Sequence, residues 1–269
     1  DWPNEYRAAG PLLMASYANL QDWDAIIQFN YEGNLSPGKI EGNFDISTKP
    51  EILFELATAA RLFHRGDVSP ARARETYSIF GTPGEVPAHM GMTHAVERER
   101  GAGFDGSREG KPAVVTSDTG ELAWDDGRGL VTINTPRLQA AFGEFRGREV
   151  SLDSLTFQSN NTFSALSVAS LDGRSIRDSK HLLLTAAARS ENQGTVYNAT
   201  RTQLRSSGDG PILMEPVQGR LSLAGAKPPA HVYALDASGK RIREIPADSP
   251  GGIFTVSLTP FPLYEIVFE

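Results

Sequence analysis

The sequence predicts an α+β chain in which a small α/β portion precedes an antiparallel β-sandwich, and three observations point there. A short apolar run near the N-terminus lies between two amphipathic stretches. From Pro112 onward the pattern changes to brief β runs separated by turn signals such as Asp126-Gly127, Asp172-Gly173 and Ser238-Gly239. The composition, 39% hydrophobic and 22% charged over 269 residues, supplies real cores for one large or two modest domains.

Taken in order, Leu13, Tyr17 and Leu20 recur at spacings of four and three, with Pro11 at a suitable first helical position, and predict an amphipathic helix over residues 11–22. Trp23 closes it and is expected in the core. Ala25-Ile26-Ile27-Gln28-Phe29-Asn30-Tyr31 is rich in β-branched and aromatic residues and suits a buried, two-sided strand. After a Gly/Asn/Pro-rich loop, Ser47 or Thr48 can cap a second helix whose stripe is Ile52, Leu53, Leu56, Ala60 and Phe63, ending at Gly66. Residues 69–111 hold no sustained period and read as a connector. The sandwich over residues 112–269 is expected to use runs at 114–116, 130–133, 150–157, 163–171, 182–186, 221–223, 231–235, 242–245, 254–258 and 264–268. One strand between two helices cannot satisfy its own edges, so residues 25–31 require strands from the β portion or from another polypeptide.

Several function classes drop out. A net charge of −7 and a pI near 5.3 disfavour a polyanion partner such as nucleic acid. The chain has no cysteine, which removes disulfides, thiolate metal sites and a Cys nucleophile. No apolar run reaches the roughly 18 residues of a membrane span, so no membrane partner is expected. G-x-S-x-G, P-loop and H-E-x-x-H patterns do not occur. His89 and His94 are five residues apart, off one helical face, and no metal or other cofactor is expected. Asp118, Glu121, Asp125 and Asp126 form an acidic group that could hold Ca²⁺, although Asp/Gly turn chemistry explains it as well.

The stretch from Trp2 to Leu13 (WPNEYRAAGPLL), continued by ASYANLQDWD and AIIQFNYEG, resembles the end of the (β/α)8 barrel of bacterial clan-A glycoside hydrolases. PEILFELATAARLFHRGDV is similar to the helix closing such barrels. TSDTGELAWDDGRGLVTINTPRLQAAFG, SLDGRSIRDSKHLLLTAAARSENQG and GPILMEPVQGRLSL resemble the β-rich region that follows them. The resemblance implies a C-terminal portion of a (β/α)8 barrel over residues 1–68, a connector over 69–111 and an antiparallel β-sandwich accessory domain over 112–269. It also implies a poly- or oligosaccharide-directed enzyme whose two catalytic carboxylates, roughly 5 Å apart in retaining members, lie outside this chain. A partner is then expected, an N-terminal fragment or chain of the same enzyme supplying earlier barrel strands, in a periplasmic or secreted setting. On this reading Trp2 and Asn4, then Asn30, Tyr31 and Glu32, sit on the substrate rim, where rings stack on sugar C–H faces and amides or carboxylates bind hydroxyls. Four of them have a plainer role open to them: Trp2 as a packing aromatic, Asn30 and Tyr31 as polar strand ends, Glu32 as a loop carboxylate. A non-catalytic carbohydrate-binding module and a structural or interaction domain are the other readings.

Overall fold

The middle of the chain is apolar on alternate positions in both registers, and the fold follows from the need to cover both sets. The computed structural model describes residues 2–33, 38–77, 90–98, 113–225, 230–249, 253–258 and 260–269. Strands take 42% of the described residues and helices 14%. Two helices come first, α1 (Ala9–Leu20) and α2 (Pro50–Arg65), then β1 (Arg74–Tyr77), the single turn α3 (Met90–Thr93) and β2 (Ala95–Arg98), which pairs with β1 in parallel. Sixteen strands follow: β3 (Val114–Thr116), β4 (Leu122–Asp125), β5 (Leu130–Asn134), β6 (Leu138–Glu144), β7 (Glu149–Ser151), β8 (Leu155–Ser159), β9 (Phe163–Ser170), β10 (His181–Ala187), β11 (Ser190–Tyr197), β12 (Leu204–Met214), β13 (Gly219–Leu223), β14 (Ala230–Leu235), β15 (Arg241–Ile245), β16 (Ala247–Asp248), β17 (Phe254–Leu258) and β18 (Leu263–Phe268).

A nine-stranded antiparallel sheet in the order β15-β14-β18-β10-β9-β6-β5-β4-β3 packs over a five-stranded one, β16-β17-β13-β8-β7. Between them Leu166, Val168, Leu182, Leu184, Val232 and Ile266 of the large sheet meet Phe157, Leu221, Phe254 and Val256 of the small one. The opposite face of the large sheet, carrying Val131, Ile133, Leu138, Ala140, Phe142, Phe163 and Ala165, is covered by Leu12, Ala15, Leu20, Ala59 and Leu62 of the helix pair. All eight residues of β9 are therefore buried, which an antiparallel strand shows only when both faces are roofed. The molecule has three layers: helix pair, large sheet, small sheet.

This corrects the expected barrel portion. The chain is a β-rich fold with large antiparallel sheets, and α1 and α2 form a layer on one of those sheets rather than the end of a (β/α)8 barrel. Ala25–Tyr31 is not a strand: it runs without regular structure, and Ile27 and Phe29 are 88% and 82% exposed. Its place against the large sheet is taken by the helices, and Tyr31 is tied instead to the loop before α2, its carbonyl accepting from the Ile46 and Ser47 N–H groups. Trp23 is also outside the core, 51% exposed on the turn after α1. Helix α1 starts two residues before Pro11, and α2 starts with Pro50 after Lys49, without a Ser or Thr side-chain cap. Gly66 ends α2 in the left-handed region, φ 59° and ψ 48°, as expected of a residue without Cβ. The run 150–157 is two strands, β7 and β8, joined by a tight turn.

Polar groups fix how the helices sit. Thr58 Oγ1 of α2 meets Thr185 Oγ1 of β10 at 3.1 Å, and Asn19 of α1 donates to the Leu62 carbonyl of α2. Glu55, wholly buried on α2, accepts from Ser167 Oγ of β9 at 3.2 Å, while its other oxygen has no partner among the described residues.

Candidate functional site

The five candidate rim residues lie on two stretches that one loop brings together. Residues 2–7 form a strap along the helix layer, anchored by Arg7. Its Nε donates to Glu51 Oε1 at 2.7 Å, one Nη to the Asn4 carbonyl and the other to the Ser190 carbonyl, while Ser190 Oγ also donates to Glu51. Both ionic side chains are 1% exposed, so the pair is a buried link between strap, α2 and β11. Ahead of it Glu5 accepts from Arg189 at 2.9 Å and Arg201 at 2.6 Å, and Arg189 bonds Glu215 at 2.8 Å. The Arg201 guanidinium stacks 4.3 Å over the Tyr197 ring, whose hydroxyl donates to the Pro3 carbonyl. Hydrogen bonds to Glu215, then to Glu5, raise the Arg189 pKa against the opposing effect of burial, so its guanidinium stays charged.

At the strap's start the Trp2 N–H donates to the Asn43 carbonyl at 3.4 Å. Asn43 and Phe44 belong to the loop that also receives residues 29–31: Asn30 Nδ2 donates to Asp45 Oδ1 at 2.6 Å, and the Phe29 and Phe44 rings meet edge to face at 5.5 Å. Lys49 is 1% exposed beneath this loop, its ammonium spent on the Gly42 and Asp45 carbonyls. Burial, helped by the Arg7 guanidinium, lowers its pKa. The outcome is a shelf presenting Phe29, Tyr31 and Phe44 to solvent over a polar base. Behind it a cleft of about 430 Å³ opens between α1 and α2, lined by Met14, Ile27, Ile46, Leu56 and Phe63 among others. Apolar walls with a few fixed polar groups are the composition of small-ligand sites.

The structure thus brings Trp2, Asn30 and Tyr31 to one loop. It does not bring Asn4 or Glu32 to bear in the same way. Asn4 Oδ1 caps a local turn by accepting the Tyr6 N–H, and Glu32 projects into solvent without a partner among the described residues. Sequence reasoning missed Phe44, and it read Phe29 as core because an aromatic in a β-branched run is ordinarily packed. It also missed the Glu5–Arg189–Glu215 cluster, whose Glu5 lies 184 residues from Arg189 in the chain. Three of the acidic group accept from protein donors: Glu121 from Ser69, Asp118 Oδ2 from the Ala73 N–H and Asp125 from the Arg128 N–H, while Asp118 Oδ1 has no hydrogen-bond partner among the described residues. No grouping of three or more metal-ligating side chains occurs among the described residues. His94 meets Thr93 and Glu75, and His89 lies outside the described residues. Among the described residues no helix is long and apolar enough to cross a membrane.

Compared with known proteins, no family model matches this chain, and neither a curated protein nor a solved structure matches it.

Proposed function

We propose that the chain is an accessory, substrate-facing part of a glycoside hydrolase acting on a poly- or oligosaccharide, contributing sugar contacts rather than the catalytic carboxylate pair. The observation that carries this reading is the gathering of Trp2, Asn30 and Tyr31 around the 42–46 loop with Phe29 and Phe44. These aromatic faces, exposed beside fixed amide and carboxylate groups, are what a pyranose ring needs for stacking and hydroxyl recognition. Migration in native gels containing soluble β-glucan, xylan or mannan tests it. The chain should be retarded by at least one of them, and Tyr31→Ala and Phe44→Ala should each weaken retardation roughly 2- to 10-fold, as expected for one stacking contact of about 0.5–1.5 kcal/mol. Free migration through all three, with the protein folded, overturns the reading.

A second reading is favoured by Ile27 and Phe29, which at 88% and 82% exposed are more apolar surface than a sugar alone requires. Here the shelf contacts another polypeptide of the same enzyme. Ile27→Ser separates the two readings: polysaccharide retardation is unchanged if only sugar binds, and co-purification with the rest of the enzyme is lost if a polypeptide covers the shelf.

A further inference from the structure

A second concave site lies where the β9–β10 loop meets the β7–β8 turn and the ends of β13 and β18. Its cavity of about 330 Å³ has an apolar floor of Ile176, Leu223 and Phe268. Its rim carries three cations, Arg174, Arg177 and Lys180, against two carboxylates, Asp178 and Glu269. In a chain of net charge −7, this reversal of sign is local.

The state of each charge matters more than the count. Asp178 accepts from Ser175 Oγ at 2.6 Å, and Glu269 lies 3.6 Å from the His231 ring. Arg177 is held in place, donating to the Asp153 carbonyl at 2.5 Å and to Ser154 Oγ at 3.4 Å. The guanidinium of Arg174 and the ammonium of Lys180 have no hydrogen bond or ion pair among the described residues. The loop that presents them is nevertheless well held, because the Asp172 carboxylate accepts from the Lys180 and Arg174 N–H groups and from Ser179 Oγ. Arg174 also acts at range on Asp172, helping to lower that carboxyl's pKa. Two cations without a hydrogen bond or ion pair among the described residues, on a tied loop beside a third that is already oriented, form an anion receptor whose ordering cost is partly met before binding.

From this geometry we propose that the cavity binds the carboxylate of an acidic saccharide, a uronate, through Arg174 and Lys180 while the sugar's C–H face rests on the partly exposed Phe268 ring. The anion part stands on the charges alone; the saccharide part rests on the carbohydrate reading above. An anionic sugar uses both halves of the cavity, whereas a small inorganic anion leaves the apolar floor wet.

The test titrates the full chain with sodium D-glucuronate, D-glucose and sodium sulfate, each followed by amide shifts in NMR spectra. Glucuronate should shift residues 171–180 and bind at least about tenfold more tightly than glucose or sulfate. Arg174→Gln combined with Lys180→Gln should cost about tenfold or more, the size of one charge-assisted hydrogen bond. The melting temperature checks folding, and the single Arg174→Gln variant serves if the pair does not fold. Equal affinity for glucose or for sulfate, or undiminished affinity in the variants, overturns the proposal. The two readings fail separately. Glucuronate binding that survives Tyr31→Ala supports this site whatever the polysaccharides do at the shelf, and polysaccharide binding at the shelf without glucuronate binding here refutes this proposal alone.

Discussion

Glu55 should make the protein lose stability as pH rises through neutrality. Burial pushes its carboxyl from 4.5 up to about 8, against one opposing hydrogen bond from Ser167. Between these two values the folded chain holds a proton that the unfolded chain has released, so stability falls with rising pH and levels off above about 8. The slope is at most about 1.4 kcal/mol per pH unit, and by pH 7 the accumulated loss is about 3 kcal/mol. Glu55→Gln is neutral at every pH and can still accept from Ser167 Oγ, so it should be more stable than the parent at pH 7 by up to about that amount. Urea unfolding of both proteins from pH 5 to 9 measures this, and the histidines shared by both cancel in the difference. Parallel curves, or a variant no more stable at pH 7, would refute the argument. In structural terms that result would mean water reaches the orphan carboxylate oxygen between α2 and β9.

Two further outcomes test the frame. Arg7→Met should cost about 3–5 kcal/mol in urea unfolding, because it strands the buried Glu51 carboxylate; adding Glu51→Leu should restore a large part. Gly143→Ala should cost about 2 kcal/mol or more in thermal melts, since φ is 133° and an added Cβ would lie 2.1 Å from the Gly129 carbonyl oxygen.

The sequence made the β-rich part legible where apolar alternation and turn pairs agreed, as at β5, β9, β14 and β17. It concealed β6, whose LQAAFGE lacks β-branched residues and reads as neither period, and the β11–β12 hairpin, whose polar SENQGTVY and LRSSGDGPILM have little core to reveal them. Ala25–Tyr31 failed for a different reason. Composition reports that Ile26, Ile27 and Phe29 favour an apolar neighbour, and says nothing about whether the fold supplies one. The helix pair covers one face of the large sheet instead. Of the site, the aromatic identities were readable and their meeting at the 42–46 loop was not, because backbone contacts to Asn43, Ile46 and Ser47 create it.

The roofing of the large sheet also sets an order of events during synthesis. Helices α1 and α2 emerge from the ribosome well before the strands that cover their apolar stripe: Thr58 waits 127 residues for Thr185, and Arg7 waits 183 for Ser190. The β4–β5 and β5–β6 hairpins, by contrast, close locally as soon as they appear. The nascent helices must therefore travel with Leu12, Ala15 and Leu62 uncovered until most of the chain has been made, the interval in which a holdase would bind.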